Sequence, residues 1–308
     1  MLSKATIKRI RALEQKKFRR QTGLFVAEGP KVVGDLLAAM SAREFFATAE
    51  WLSENRNLIS TATKPEKSGG KPLGSDAKTA TATITEVSEE ELRRLSFLQH
   101  PQQVLATFEI PAASPPTPLP LERGNLTANN QQAATTLHQF DSPLSIWRGV
   151  GGEASLTLAL DGIQDPGNLG TIIRIADWFG IETVVCSPDT ADAYAPKVVQ
   201  ATMGSLARVK IVYQDLAELI DALPTDFPVY GTLLDGRDIY AETLTPHGLI
   251  VMGNEGNGIS PEIARKITRR LLIPNYPADR PTADSLNVAI ATAITCAEFR
   301  RRASVKHS

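Results

Sequence analysis

The chain is 308 residues long, enough for two domains with proper cores, and its 33 basic and 34 acidic residues leave a formal net charge of −1, so bulk charge selects no partner. No apolar run reaches the roughly 18 residues of a membrane span, the N-terminus lacks a signal-peptide core, and Cys186 and Cys296 alone make no disulfide framework. His100, His138, His247 and His307 are scattered at no metal-ligand spacing. These features predict a soluble, cytoplasmic protein with two buried thiols, no membrane segment and no metal site.

Ser3 to Arg20 is expected to be helical, with Ile7, Ile10 and Leu13 as its apolar stripe. Lys4, Lys8, Arg9, Arg11, Lys16, Lys17, Arg19 and Arg20 crowd the remaining surface against the single acid Glu14. That local balance suits a polyanion, and a solvated helix face accounts for it equally well. A strand follows at Leu24 to Ala27, then a helix from Lys31 to about Met40, and a second strand at Glu44 to Ala49. Thr61 to Thr83 has almost nothing to bury and reads as a mobile loop. Order resumes at Ile84; Ser88 and Glu91 have capping-box spacing, and Gln102 to Ile110 forms a closing buried strand. Residues 1–112 are thus expected to form a small α/β domain. The proline- and polar-rich run from Ala112 to Glu153 is too long for a loop inside a compact domain and predicts a flexible linker over 113–154.

From Ser155 strands and helices alternate, which implies a parallel sheet covered on both faces in a domain spanning 155–308. Strands are expected at Thr157–Leu160, Thr183–Cys186, Ala207–Val212 and Val229–Leu234. Helices are expected over LGTIIRIADWF (capped by Asn168 and ended by Gly180), Pro196–Met203 and Leu216–Ala222. The chain closes with an almost wholly apolar helix from near Ser285, ended by Arg300, Arg301 and Arg302, which complement its dipole.

Leu249 to Ile273 is the most informative stretch: a buried strand, a loop with Gly253, Gly256 and Gly258, a helix with Ser260 as N-cap and Pro261 at its first position, and a second strand. A parallel sheet usually binds its ligand at such a strand–loop–helix junction. Gly253 and Gly258 have P-loop spacing, but Ile259 stands in the lysine position and Glu255 would repel a triphosphate. A nucleotide-hydrolysing enzyme is therefore disfavoured. Arg174 lies opposite the apolar face of Leu169, Ile172, Ile173 and Ala176, in the half of its helix where the dipole disfavours a cation. A solvated arginine accounts for the position on periodicity alone; a nearby anion would remove the dipole cost, and RNA phosphate suits its forked donors. Asp284 and Ser285 offer a cap for the closing helix, whereas Asn287, read as lying within that helix, needs a partner.

Three stretches taken in order, NLGTIIR (Asn168–Arg174), MGNEGNG (Met252–Gly258) and Ile273-Pro274 followed by SLNVAIA (Ser285–Ala291), resemble the three motifs of the SpoU (TrmH-like) branch of the SPOUT RNA methyltransferases. The segments Gln15–Val33 and Leu95–Pro111 resemble the opening and close of the ribosomal-protein-like RNA-binding domain that often precedes it. The resemblance implies a parallel-sheet SPOUT domain with a trefoil knot, acting as a homodimer. It further implies methyl transfer from S-adenosylmethionine to a ribose 2′-hydroxyl of RNA, with ribosomal RNA preferred over transfer RNA. By motif match, Gly253, Ile273 and Leu286, with Leu233 from the preceding strand end, would hold the cofactor. Arg174 would bind phosphate and help deprotonate the hydroxyl, and Asn168, Glu255, Ser285 and Asn287 match the other polar positions. One departure stands out: eleven steps separate Pro274 from Ser285 through NYPADRPTAD, where the family has a short glycine-containing loop. The competing expectation is a non-catalytic RNA-binding protein with a decayed domain.

Overall fold

The computed structural model describes residues 2–57, 59, 82–111, 155–277 and 283–305. The linker expected over 113–154, nearly all of the 61–83 loop, and Arg280 lie outside the described residues. Internal contacts group the chain into two units. One holds Met1–Ala112, Asp165–Arg174 and Ala191–Val209; the other holds the stretch ending at Gln164, Ile175–Thr190 and Lys210–Ser308.

The first unit opens with α1 (Lys4–Ala12) and α2 (Lys16–Thr22), two helices where one was expected. The break has a physical cause: the Arg19 guanidinium draws in the carbonyl oxygens of Leu13 and Glu14, each at 2.7 Å, so these accept from a side chain rather than continue a helical ladder. Gly23, at φ 66°, ends α2 and turns the chain into β1 (Leu24–Glu28). Then come α3 (Pro30–Leu37), β2 (Ala42–Ala47) and α4 (Ala49–Glu54), the last capped by Thr48 and absent from the sequence reading, which ran the strand on to Ala49. β3 (Thr83–Glu86) leads to α5 (Glu89–Leu95), whose capping box is complete: Ser88 Oγ accepts from the Glu91 amide at 3.2 Å and Glu91 Oε2 from the Ser88 amide at 3.1 Å. β4 (Val104–Glu109) closes a sheet of order β1-β4-β2-β3, in which only β2 and β3 are parallel. Central β4 is buried from Val104 to Phe108, and Phe25, Phe45, Phe46, Phe108 and Trp51 fill the core around it.

Two later segments belong to this unit: the first part of α6 (Pro166–Trp178) and α7 (Pro196–Thr202) with its following 3₁₀ turn at Ser205–Ala207. They meet at Gly170, where an added Cβ would lie 2.4 Å from Ala201 Cβ. The expected apolar face of α6 is fully buried, with Leu169, Ile172, Ile173 and Ala176 at 0% exposure. Its expected cap is corrected, however. The helix starts at Pro166, and Asp165 Oδ1 accepts from the Asn168 amide at 2.8 Å, so Asp165 caps and Asn168 sits in the first turn.

The second unit is a six-stranded sheet of order β10-β8-β9-β5-β6-β7, parallel throughout. Its strands are β5 (Leu156–Asp161), β6 (Thr183–Cys186), β7 (Lys210–Tyr213), β8 (Val229–Asp238), β9 (Gly248–Gly253) and β10 (Arg269–Leu272). β7 starts later than expected because Ala207 belongs to the 3₁₀ turn. Every residue of β5 and β9 is buried, as the unbroken apolar run of β9 requires; in β5 the polar Thr157 and Asp161 are buried with the rest. Helices α8 (Leu216–Asp221) and α9 (Pro261–Ala264) cover the sheet, and α10 (Val288–Val305) closes the chain. α10 begins three residues after Ser285. Two of its terminal arginines reach outside the helix: Arg300 donates to the Phe179 and Gly180 carbonyls at 2.7 and 2.9 Å, and Arg302 to those of Tyr240 and Glu242. No helix among the described residues is long and apolar enough to cross a membrane.

Candidate functional site

The strand order reverses at β5, with β6 and β7 to one side and β9, β8 and β10 to the other, so the carboxyl ends of β5 and β9 flank the switch point where parallel sheets bind ligands. Gly253 ends β9 there. A Cβ on it would lie 2.2 Å from Gly258 C and Ile259 N, so only glycine lets the loop fold back over the strand end. The fold-back is a two-way backbone pair between Asn254 and Gly258, each amide donating to the other's carbonyl at 2.9 Å, with Gly258 at φ 68°. The Asn254 side chain stitches the loop: Oδ1 accepts from the amides of Gly256 at 2.9 Å and Asn257 at 3.0 Å, while Nδ2 donates to the Gly162 carbonyl at 2.6 Å. Beyond the loop, Ser260 takes the N-cap position of α9 without a side-chain capping bond; its amide donates instead to Asp161 Oδ2 at 2.7 Å. Sequence reasoning passed over Asn254 and Asp161. The signal available for Asn254 was an amide residue inside a glycine loop whose bare donors need an acceptor.

A second wall comes from a break in strand pairing. Arg270 pairs with Gly231 but Leu271 with Arg237, so Thr232–Gly236 leaves the β8–β10 ladder. Arg270 braces this excursion through Nη2, which donates to both Asp235 carboxylate oxygens at 2.6 and 2.7 Å. The guanidinium holds the Asp235 carboxyl below its ordinary range. The stretch leading into α10 makes a third wall. Together these enclose a cavity of about 540 Å³, in the size range of small-ligand sites. Met252, Ile259, Leu272 and Val288 give it apolar surface, while Asp235, Glu255 and Asp284 bring carboxylates to it.

Six of the nine residues predicted for the site line this cavity: Leu233, Gly253, Ile273 and Leu286, expected to hold a cofactor, with Glu255 and Ser285. Asn168, Arg174 and Asn287 are not among its described lining residues. Arg174 is exposed on α6 and has no ion-pair or hydrogen-bond partner for its side chain among the described residues. Asn287 is corrected from helix interior to helix cap: its Oδ1 accepts from the amides of Ala289 at 3.0 Å and Ile290 at 3.3 Å, which answers its need for a partner. The cavity fits S-adenosylmethionine in three respects: its volume, the bare backbone at Gly253 that a side chain would fill, and an acidic lining, with Glu255 and Asp284 beside the Arg270-paired Asp235, suited to a molecule bearing sulfonium and ammonium charges. Among the described residues there is no cluster of three metal-ligating side chains.

A parallel sheet with a glycine-walled pocket at its strand ends, accompanied by a small α/β unit, is the architecture of the SPOUT class of methyltransferases. Residues 155–297 match the SpoU rRNA methylase family and residues 4–106 the MRM3-like substrate-binding domain. A structure from Porphyromonas gingivalis assigned to the TrmH family of RNA methyltransferases is 36% identical, with a TM-score of 0.71 over 98% of this chain and 99% of that one. An AdoMet-bound rRNA methyltransferase from Sinorhizobium meliloti is 28% identical, with a TM-score of 0.72 over 98% and 96%. The 23S rRNA (guanosine(2553)-2′-O)-methyltransferase RlmP of Bacillus subtilis is 35% identical over 176 residues, 56% of this chain and 66% of that protein. The chain belongs to the SpoU (TrmH) family of RNA methyltransferases, which uses S-adenosylmethionine.

Proposed function

We propose that the chain transfers the methyl group of S-adenosylmethionine to a ribose 2′-hydroxyl of ribosomal RNA. The observation that carries this reading is the single cavity that gathers Leu233, Gly253, Ile273 and Leu286 with Glu255 and Ser285. The bound cofactor supplies a methyl group already activated on a sulfonium, so the chain's own task is alignment and exclusion of water. Gly253, Leu233, Ile273 and Leu286 hold it, and the Glu255 carboxylate complements its positive charge. The Arg174 guanidinium would grip the phosphate beside the target ribose and favour passage of the hydroxyl proton to solvent, readying the oxygen for the methyl group the cofactor would supply. Asn168, Ser285 and Asn287 complete the polar set that orients the nucleotide.

The same reading divides the chain into an RNA-binding domain over 1–112, a linker over 113–154 and a methyltransferase domain over 155–308, acting in the cytoplasm. The C-terminal domain carries the trefoil knot of its family; in support, β8 lies between β9 and β10, and the stretch before α10 returns to the loops after β8 and β9. Two copies form the active unit. Leu286 and Ile290, 51% and 53% exposed near the start of α10, offer apolar surface to a second copy. Ribosomal rather than transfer RNA is supported by the activity named for the Bacillus relative.

The test is transfer of label from methyl-labelled S-adenosylmethionine to ribosomal RNA, beside the Arg174→Ala variant. The wild type is expected to label ribosomal RNA, and the variant to lose labelling while still binding the cofactor. Equal labelling by both overturns the role of Arg174. Labelling of transfer RNA alone overturns the substrate.

A further inference from the structure

Arg19 stands among the basic residues expected to face a polyanion, yet it is only 2% exposed. Of its neighbours, Lys4, Lys8, Lys17 and Arg20 are exposed and unpaired among the described residues. Arg19 instead spends its donors inward. Nη1 donates to the Leu13 and Glu14 carbonyls at 2.7 Å each, and Nε and Nη2 donate to Asp192 Oδ2 at 3.1 and 2.6 Å. The other Asp192 oxygen accepts from the Tyr194 amide at 3.0 Å, just ahead of α7, and the Tyr194 ring lies 5.1 Å from that of Phe25 on β1. α7 in turn meets α6 at Gly170, where no Cβ fits against Ala201. Gly170 lies two residues beyond Asn168 and about one helical turn before Arg174. A continuous path of packed groups therefore runs from the basic helices to the arginine that the proposed function places at the reacting ribose, all inside one contact unit. A buried ion pair is weak as glue but strong as a register device, because its partners must meet in one geometry.

We infer that Arg19 and Asp192 are positioning residues: their clasp ties the RNA-facing helices α1 and α2 to the turn bearing Asn168 and Arg174, so that RNA gripped by the lysines is set in register with Arg174. This rests on the proposed RNA methylation. Asp192→Asn is the chosen perturbation, since it keeps the oxygen that accepts from Tyr194 and removes the one that accepts from Arg19. At saturating RNA and cofactor the variant is expected to lose about tenfold or more in kcat, with the KM for RNA and the Kd for S-adenosylmethionine within about twofold of wild type. Hydrogen exchange is expected to quicken in residues 168–174 and 196–202 and to stay unchanged in the loop 254–258. Arg19→Lys, which keeps the charge but not the fork, is expected to fall between the two. Unchanged kcat with unchanged exchange overturns the inference; so does a rise in the KM for RNA alone, or loss of cofactor binding alongside kcat. Should the wild type itself transfer no methyl group, the proposed function fails, and the exchange pattern still decides whether the clasp holds the two helices.

Discussion

Gly253→Ala probes the loop on which the cofactor pocket depends. The added methyl would lie 2.2 Å from Gly258 C and Ile259 N, whereas ordinary contact starts at 3.4 Å, so the returning backbone must retreat by about 1.2 Å. Nothing flexible is available to yield, because the groups struck are main chain. Retreat loosens the paired hydrogen bonds between Asn254 and Gly258, each 2.9 Å long and worth about 1 kcal/mol. Two such bonds with incomplete relief of the clash amount to about 2–4 kcal/mol, concentrated in the loop. If half of that appears as lost affinity, S-adenosylmethionine should bind about 5- to 30-fold more weakly. Calorimetric titration of the full chain reads this directly, with thermal unfolding as a check that the sheet survives. Binding within threefold of wild type, by a variant that melts normally, would refute the claim that backbone at Gly253 forms the pocket wall.

Two further perturbations address other parts of the molecule. Burial raises the thiol pKa of both cysteines, that of Cys296 to about 12, so neither should react with a thiol reagent at pH 8 in the native protein and both should react in denaturant; rapid native labelling of either would contradict their burial. Hydrogen bonds from Arg301, with a further contribution from Arg302, hold the Glu298 carboxyl near a pKa of about 2, against 4.5 unpaired. A depressed carboxylate stabilises the fold above its unfolded pKa and loses that contribution as pH falls through the folded one. Wild type should therefore be more stable than Glu298→Gln at pH 7, by about 1 kcal/mol once solvent screening of the exposed Arg301 is allowed for, with the gap closing between pH 4.5 and 2. A gap independent of pH would assign the effect to packing.

Periodicity carried much of the fold. The unbroken apolar run in β9 announces a strand buried on both faces, and the Ser88–Glu91 spacing announces a capping box, because each is a local property of neighbouring residues. Errors arose where a distant partner decided the outcome. A carboxylate at position 192 buries Arg19 and splits one expected helix into two, and no window around residue 19 contains that carboxylate. The sequence offers Asn168 as the cap that Asp165 supplies, and places Asn287 inside the helix that it caps, because several short polar residues lie within a few positions of each helix start. Within the candidate site, the motif resemblance supplied the lining residues. The braces Asp161 and Arg270 are not legible locally because their partners lie 99 and 35 residues away, and the anchor of Asn254 on Gly162 spans 92.

These braces bear on how a loop of bare glycines can act as a binding wall at all. Gly253, Gly256 and Gly258 give the backbone freedom to turn, which by itself would leave the wall mobile and costly to order on ligand binding. Asn254 offsets this by satisfying two loop amides with one oxygen and anchoring its nitrogen on Gly162, next to the end of the central strand β5. Asp161 fixes the far end of the loop at Ser260 from that same strand. Glycine thus sets the shape and two short polar side chains set the rigidity. Glu255 lines the cavity from this braced loop, and a substitution at Asn254 should weaken cofactor binding even though its side chain is committed to the protein's own backbone.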